Sequence, residues 1–227
     1  MRHTTAVRRL RTITDACDRA RRLPGGGALL AAHAFGPILD GTGDIPVVHV
    51  ALVVDLPAEE LPWGVEPPEC TTLANLLDLC KAPVVRRWRP AAWPVWNHAI
   101  RRLLRIWSPT GPDTRALDAL AAGQASPLRL AAPQPAEEAE QRRVETAASL
   151  RHLRRVHDRY WDDEPWRRAH RGSGRFPEDS LWGRSTATSN CSTRQPRSRP
   201  TSSRGYGATR TPTPPKGVAA AQRWRDA

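Results

Sequence analysis

Residues 46–56 read Pro46-Val47-Val48-His49-Val50-Ala51-Leu52-Val53-Val54-Asp55-Leu56. Apolar and β-branched side chains fill this run almost without interruption, which is typical of a central strand that is covered on both faces. A shorter apolar run at residues 28–35 precedes it and stops at Gly36-Pro37. The turn-forming residues 40–44, Asp-Gly-Thr-Gly-Asp, separate the two runs. The sequence therefore predicts a pair of strands joined by a turn.

Apolar side chains at helical spacing recur on either side of this strand pair. They predict helices over residues 5–23, over 71–80, from a cap at Asp113 to a stop at Gly123, and from about Ala136 onward. Residues 83–89 favour a further strand, whereas residues 95–107 fit either a helix face or a strand.

The last helix has a predicted apolar arc toward its C-terminal half. The arc consists of Leu150, Leu153, Val156, His157, Tyr160 and Trp161. We interpret His157 as a packed core residue rather than a ligand. All these elements predict a single α+β (or α/β) domain over residues 1–182, with a small mixed sheet packed by helices. Its core occupies residues 1–126, and its long helical region occupies residues 136–171.

The positive charge is concentrated at one end of the chain. The formal net charge is +12 over 227 residues, and the basic residues are almost all arginine. Residues 183–227 account for +8 of that charge and are rich in Ser, Thr and Pro. Such a segment buries too little apolar surface to offset its ordering entropy, so we predict a disordered tail. Because a helix start at residues 176–182 is abandoned at Gly183, we also predict that the tail derives from a frameshift.

Several function classes are not favoured by the composition. Cys17, Cys70, Cys80 and Cys191 lack the spacing of metal-binding pairs, and we expect no metal site, no disulfides and no cofactor. No apolar run approaches the ~18 residues that a membrane span requires. The N-terminus lacks the apolar stretch of a secretory signal. We therefore expect a cytoplasmic protein that has no membrane partner.

The segment Ala34-Phe35-Gly36-Pro37, followed by a turn and the strand that contains His49-Val50-Ala51, resembles the core of the polymerase-β-like nucleotidyltransferases. The resemblance implies a Gly-Ser pair after the first strand and an Asp-x-Asp or Asp-x-Glu pair on the second. Those carboxylates would hold Mg²⁺ for phosphoryl transfer. Here Pro37 stands in the place of the serine, and His49 and Ala51 stand in the places of the acids. The spacing is kept, and the metal-binding chemistry is lost.

A broader series of motifs resembles an uncharacterised family from high-GC bacteria that is known only as a domain of unknown function. These motifs are Leu56-Pro57, Leu61-Pro62-Trp63, Trp96-Asn97-His98, Trp107-Ser108, Gly111-Pro112-Asp113, His157-Asp158-x-Tyr160-Trp161 and Trp166-Arg167-Arg168-x-His170-Arg171-Gly172. The likeness covers about residues 1–182 and implies no activity.

Our leading hypothesis is a non-catalytic, nucleotidyltransferase-like domain with a binding or regulatory role. Its candidate ligand-binding residues are Gly36, His49, Arg86, Arg87, Asn97 and His98. A second hypothesis is an active transferase that uses other acids, Asp44 or Asp55. A third is a nucleic-acid-binding protein that uses the tryptophans and arginines of residues 86–107 together with the basic tail. For that segment, we favour core tryptophans surrounded by arginine stems over a nucleic-acid surface.

Overall fold

The computed structural model describes residues 1–24, 26–41, 43–81, 83–160 and 163–165. All of them lie in the first of two compact units, Met1–Gln195. The second unit, Pro196–Ala227, lies outside the described residues. The predicted disordered tail at residues 183–227 lies outside them as well, as do residues 166–171 of the predicted helical region.

The strands form one mixed sheet. They are β1 (Leu29–Phe35), β2 (Val48–Val54), β3 (Val84–Pro90), β4 (Leu104–Ser108) and β5 (Gly111–Pro112). Their order across the sheet is β3-β2-β1-β4-β5. β1 runs antiparallel to both β2 and β4, and β2 runs parallel to β3. The mixed sheet confirms the predicted α+β fold, and the apolar run of β2 is explained by its position between β1 and β3.

Four α-helices accompany the sheet within the part of the chain that the structure describes. They are α1 (His3–Arg21), α2 (Pro68–Leu76), α3 (Thr114–Ala121) and α4 (Pro135–Tyr160). Asp113 caps α3 as predicted, because its Oδ1 accepts a hydrogen bond from the Ala116 amide at 3.0 Å. Of the two alternatives for residues 95–107, the strand is present and the helix is not. No helix among the described residues is long and apolar enough to span a bilayer.

The first face of the sheet carries the larger apolar cluster. Along β2, Val48, Val50, Leu52 and Val54 alternate toward this face and are fully buried. Helices α1, α2 and α3 cover them with side chains such as Leu10, Leu73 and Leu117. The intervening residues of β2, His49, Ala51 and Val53, define the second face, which faces away from these three helices.

The predicted buried arc of α4 is wrong. Leu150 is 38% exposed, and His157 is exposed rather than packed in a core. The buried residues of α4 are Gln141, Glu145, Ala148, Ser149, His152 and Val156, so Val156 alone of the described arc is buried. The buried face of α4 contains Glu145, which pairs with the buried Arg89 of β3, and an apolar pattern in the sequence does not predict that contact.

Candidate functional site

A small apolar cluster covers the second face around Ala51. It consists of Phe35, Ala51, Ile100 and Leu103, with Trp63, Val95 and Trp96 packed against it. Ala51, which stands in the place of the second acid, is 0% exposed. The second face around Ala51 is therefore filled by hydrocarbon side chains.

Basic residues flank Ala51 on its neighbouring strands. In the register of the sheet, Ala51 pairs with His33 of β1 on one side and with Arg87 of β3 on the other. His33 pairs in turn with Arg105 of β4. The row from β4 to β3 thus reads Arg105, His33, Ala51, Arg87 and contains no carboxylate.

Gly36 and His49 are neighbours at the end of the β1–β2 pair. Gly36 has φ +77°, a conformation that side-chain-bearing residues rarely adopt. A Cβ atom at this position would lie 3.4 Å from His49 Cγ. The Phe35 ring packs edge-on against the His49 imidazole, with ring centroids 5.2 Å apart. Glycine is favoured here because the chain turns through a left-handed backbone conformation.

Arg87 and His98 both contact the ring of Trp63. The Arg87 guanidinium lies 5.4 Å from the centroid of the Trp63 ring, a cation–π contact. The His98 ring packs edge-on against Trp63 at 5.1 Å between centroids. Burial, together with the positive charge of Arg87, holds the pKa of His49 below its ordinary value. We call Gly36, His49, Trp63, Arg87 and His98 the rim site.

Arg87 differs in its ion pairing from the other arginines of residues 86–105. Five of them form ion pairs: Arg86 with Glu66 (2.8 Å), Arg89 with Glu145 (2.6 Å), Arg101 with Glu138 (3.0 Å), Arg102 with Asp40 (3.1 Å) and Arg105 with Asp113 (4.0 Å). Arg87 is exposed and forms no ion pair with any residue that the structure describes. Trp88 and Trp107 are buried in the larger cluster. Most of the positive charge of residues 86–107 is therefore already neutralised by carboxylates.

Two candidate binding residues lie outside the rim site. Arg86 donates from Nε and Nη2 to the two carboxylate oxygens of Glu66, at 3.0 and 2.8 Å. Asn97 Oδ1 accepts hydrogen bonds from the amides of Ala99 and Ile100, both at 2.9 Å, and its Nδ2 donates to Glu145. Both side chains are thereby engaged in contacts within the fold.

The alternative acids, Asp44 and Asp55, are not brought together. Asp44 is exposed in the loop before β2, where it lines a surface depression of about 450 Å³ together with Gly36 and Asp40. Asp55 is exposed beyond the opposite end of β2, ~20 Å from His49 at 3.3 Å per residue. Within the described ranges, no three His, Cys, Asp or Glu side chains are grouped so that they could hold a metal ion.

Sequence reasoning missed His33 and the pair Arg89–Glu145. His33 is 6% exposed, and burial, aided by the charge of Arg105, lowers its pKa to about 4. Arg89 and Glu145 are separated by 56 residues in the chain, and both side chains are fully buried. Alternation along β1 and β3 places His33 and Arg89 on the second face, and this was the available signal. The partner of each residue depends on tertiary contacts.

The model of one protein family, a domain of unknown function (DUF7711), matches residues 1–190, and the chain belongs to this family. The resemblance to a domain of unknown function is thereby confirmed. No match was found among curated proteins or among solved structures.

Proposed function

We propose that this member of the DUF7711 family is a non-catalytic, nucleotidyltransferase-like domain that binds an anionic phosphate compound at the rim site without a metal ion. One observation carries the proposal: His49 and Ala51 occupy the positions of the expected acids, and Arg87 lies beside Ala51 on β3. A carboxylate needs a cation between itself and a phosphate, whereas a guanidinium binds a phosphate directly.

The arrangement around β1 and β2 supports the nucleotidyltransferase-like part of the proposal. Gly36 follows β1 directly, and His49 and Ala51 lie two residues apart on β2, so their side chains share a face. These are the relative positions that the resemblance implies for its glycine and its two acids. This placement supports a site that resembles the nucleotidyltransferase arrangement in position and differs from it in charge.

The apolar cover supports the non-catalytic part. Ile100 and Leu103 pack in the same cluster as Ala51, where hydrated metal ions would otherwise lie. Mg²⁺ gives up its water ligands reluctantly and binds to oxygen atoms, which this cluster does not offer. Arg87 is exposed and His49 is half-buried at the border of the cluster, so a ligand can reach both of them without moving the cover.

We also propose the cytoplasm as the compartment in which the domain acts. Cys17, Cys70 and Cys80 are free thiols in the structure, and Cys17 and Cys70 are buried. Unpaired cysteines of this kind are compatible with a reducing compartment. Fractionation of the native host cell with a tagged full chain is the direct check.

Binding of ATP by the full chain tests the proposal. In isothermal titration calorimetry with EDTA present, we expect ATP to bind, and we expect Arg87→Ala to weaken binding at least about tenfold, since a charge-assisted hydrogen bond is lost. Arg86→Ala is the matched control, because the Arg86 guanidinium is held by Glu66. Absence of ATP binding, or an equal loss in both variants, overturns the anion site. Pyrophosphate release from ATP that depends on Mg²⁺ overturns the non-catalytic assignment.

The protonation of His49 provides an independent readout of the same site. Arg87→Ala should raise the pKa of His49, because the positive charge that disfavours its imidazolium form is removed. An NMR pH titration of the His49 ring measures this change without any ligand. Arg86→Ala should change the pKa of His49 less. An unchanged pKa of His49 in Arg87→Ala would show that the two side chains do not act as one site.

A further inference from the structure

Helix α4 is attached to the domain mainly through polar contacts. No described residue of α4 belongs to either of the two apolar clusters. Four of the six residues on its buried face are polar or charged: Gln141, Glu145, Ser149 and His152. Helices in globular proteins are usually held by an apolar face. The docking of α4 therefore depends on a different kind of contact from that of α1, α2 and α3.

Glu145 is the central anchor of this contact. Its Oε1 accepts hydrogen bonds from Arg89 Nη2 at 2.6 Å and from Gln141 Nε2 at 2.9 Å. Its Oε2 accepts a hydrogen bond from Asn97 Nδ2 at 3.0 Å. The side chains of Arg89 and Glu145 are both 0% exposed. One buried carboxylate thus joins α4 to β3 and to the segment that follows β3.

The same anchor fixes residues 94–103, which carry the apolar cover of the second face. Arg89 Nη2 also donates to the backbone carbonyl of Pro94 at 2.7 Å. Asn97 holds the backbone amide of Ile100, and Ile100 is part of the second apolar cluster. If Glu145 withdraws, Arg89 and Asn97 lose their shared acceptor, and the segment that carries Ile100 loses its buried attachment to α4.

Two more contacts extend the attachment along the helix. Near its start, Glu138 pairs with Arg101 of the covering segment at 3.0 Å. Nearer its end, Arg155 Nη2 donates to the backbone carbonyl of Glu59 at 3.1 Å, in the loop that carries Trp63. Glu138 and Arg155 are about 25 Å apart along the axis at 1.5 Å per residue. Helix α4 therefore lies across both segments that cover the second face.

We propose that α4 and residues 94–103 form a strap, which closes the second face and opens as one unit while the sheet and its first face stay folded. A buried ion pair loses its hydration when it forms, and its charges regain water when it separates. Opening the strap separates this ion pair and the small cluster that Ile100 and Leu103 form with the sheet, whereas the first face is held by a much larger apolar cluster. Segments with few buried apolar contacts are those that open locally in native proteins. This inference does not depend on the proposed ligand.

Hydrogen exchange of the full chain, followed by mass spectrometry, tests the strap. In the wild type, we expect the hydrogen-bonded amides of Asn97, Ala99 and Ile100 and those of residues 141–156 to share one rate of opening, at least 100-fold faster than the opening of β1 and β2. Glu145→Ala should accelerate exchange in both strap segments at least tenfold and leave β1 and β2 unchanged. Glu140→Ala is the matched control, because Glu140 lies on the same helix and pairs with Arg143 in solvent.

Each outcome either supports or overturns the strap. Separate opening rates for the two segments overturn it. It is also overturned if the amides of α4 exchange at the same rate as those of β1 and β2, because α4 then opens only when the whole domain unfolds. Glu145→Ala leaves the buried charge of Arg89 unpaired and can fail to fold for that reason. In that case the test uses the wild-type exchange pattern and the double variant Arg89→Leu/Glu145→Leu, which removes both charges. Joint opening in the wild type, together with retained folding of β1 and β2 in the double variant, supports the strap. Loss of folding in the double variant overturns it.

Discussion

The two faces of the sheet are built from the same strands but with different chemistry. On the first face, Val48, Val50 and Leu52 are sealed by three helices through apolar contacts. On the second face, the same strands present His33, Arg87 and Arg89 around a small apolar cluster. The covering helix α4 is attached there by a carboxylate. The difference shows how one sheet can be held by apolar contacts on one side and by buried polar and charged contacts on the other.

The two faces should therefore contribute different amounts to the free energy of unfolding. A fully buried Leu or Val side chain contributes about 1.5–3 kcal/mol through the removal of apolar surface from water. A buried ion pair contributes little net stability, because its Coulomb attraction is largely offset by desolvation. Global stability should therefore depend on the first face, and the second face should govern local opening and pH dependence.

The largest effect is expected for Leu52→Ala, which removes a fully buried side chain from the first face. The loss of buried surface and the cavity that remains should lower the free energy of unfolding by about 3–4 kcal/mol. Urea denaturation followed by circular dichroism measures it. Val53→Ala is the neighbouring control on the second face, where the side chain is half-buried, and should cost about 1 kcal/mol. Equal losses in both variants would remove the energetic distinction between the faces.

An effect of intermediate size is expected from His33 as the pH falls. Its folded-state pKa is about 4, below the ordinary 6.5, so between these values the unfolded chain binds a proton that the folded chain does not. Stability should therefore be lost as the pH falls from 6.5 toward 4, by roughly 2–3 kcal/mol from this residue. Urea denaturation at pH 7 and pH 4.5 should show a smaller loss in His33→Gln than in the wild type.

The variant Arg105→Ala tests whether the charge of Arg105 contributes to the low pKa of His33. Arg105→Ala removes the positive charge beside His33 and should raise the pKa of His33, while burial keeps it below the ordinary value. The loss of stability at low pH should then be smaller than in the wild type and larger than in His33→Gln. If all three proteins lose the same stability, other groups determine the acid sensitivity.

The smallest effect is expected for Gly36→Ala at the rim site. The left-handed backbone at φ +77° and the contact of a new Cβ with His49 should together lower the free energy of unfolding by about 1–2 kcal/mol. Thermal unfolding provides the comparison with Gly27→Ala, where no atom lies within 4 Å of the added methyl group. If Gly36→Ala is as stable as Gly27→Ala, the contact with His49 places no constraint on the turn.

The sequence predicted the strands and helices well wherever one pattern dominated. The apolar run of β2, the spacing in α1 and the cap at Asp113 depend on neighbouring residues, which a sequence displays directly. The buried side of α4 was predicted wrongly, because Leu150 and His157 gave a stronger apolar pattern than the face that contains Glu145. An ion pair between Arg89 and Glu145 is set by tertiary packing, and no local periodicity encodes it.

The residues of the candidate site were likewise predicted in part from the sequence and found in part only in the structure. From the sequence came Gly36, His49, Arg87 and His98, together with the observation that the expected acids are missing. The structure added Trp63 as the ring that joins Arg87 to His98, and it assigned Asn97 and Arg86 to contacts with Glu145 and Glu66. Arg86 and Glu66 are 20 residues apart in the chain, and Asn97 and Glu145 are 48 residues apart. Local sequence patterns do not reveal pairs at such separations.

The sequence by itself determined the α+β fold, the family and the absence of carboxylates at positions 49 and 51, because strand periodicity and residue identity are local properties. Only the tertiary structure decided which of the arginines at residues 86–105 pair with a carboxylate and which face of α4 is buried. A charge pairs with groups that are near it in space, and burial raises the energy of any charge that is left alone. Arg89 is buried and meets Glu145 of α4, whereas Arg87 is exposed and needs no such partner.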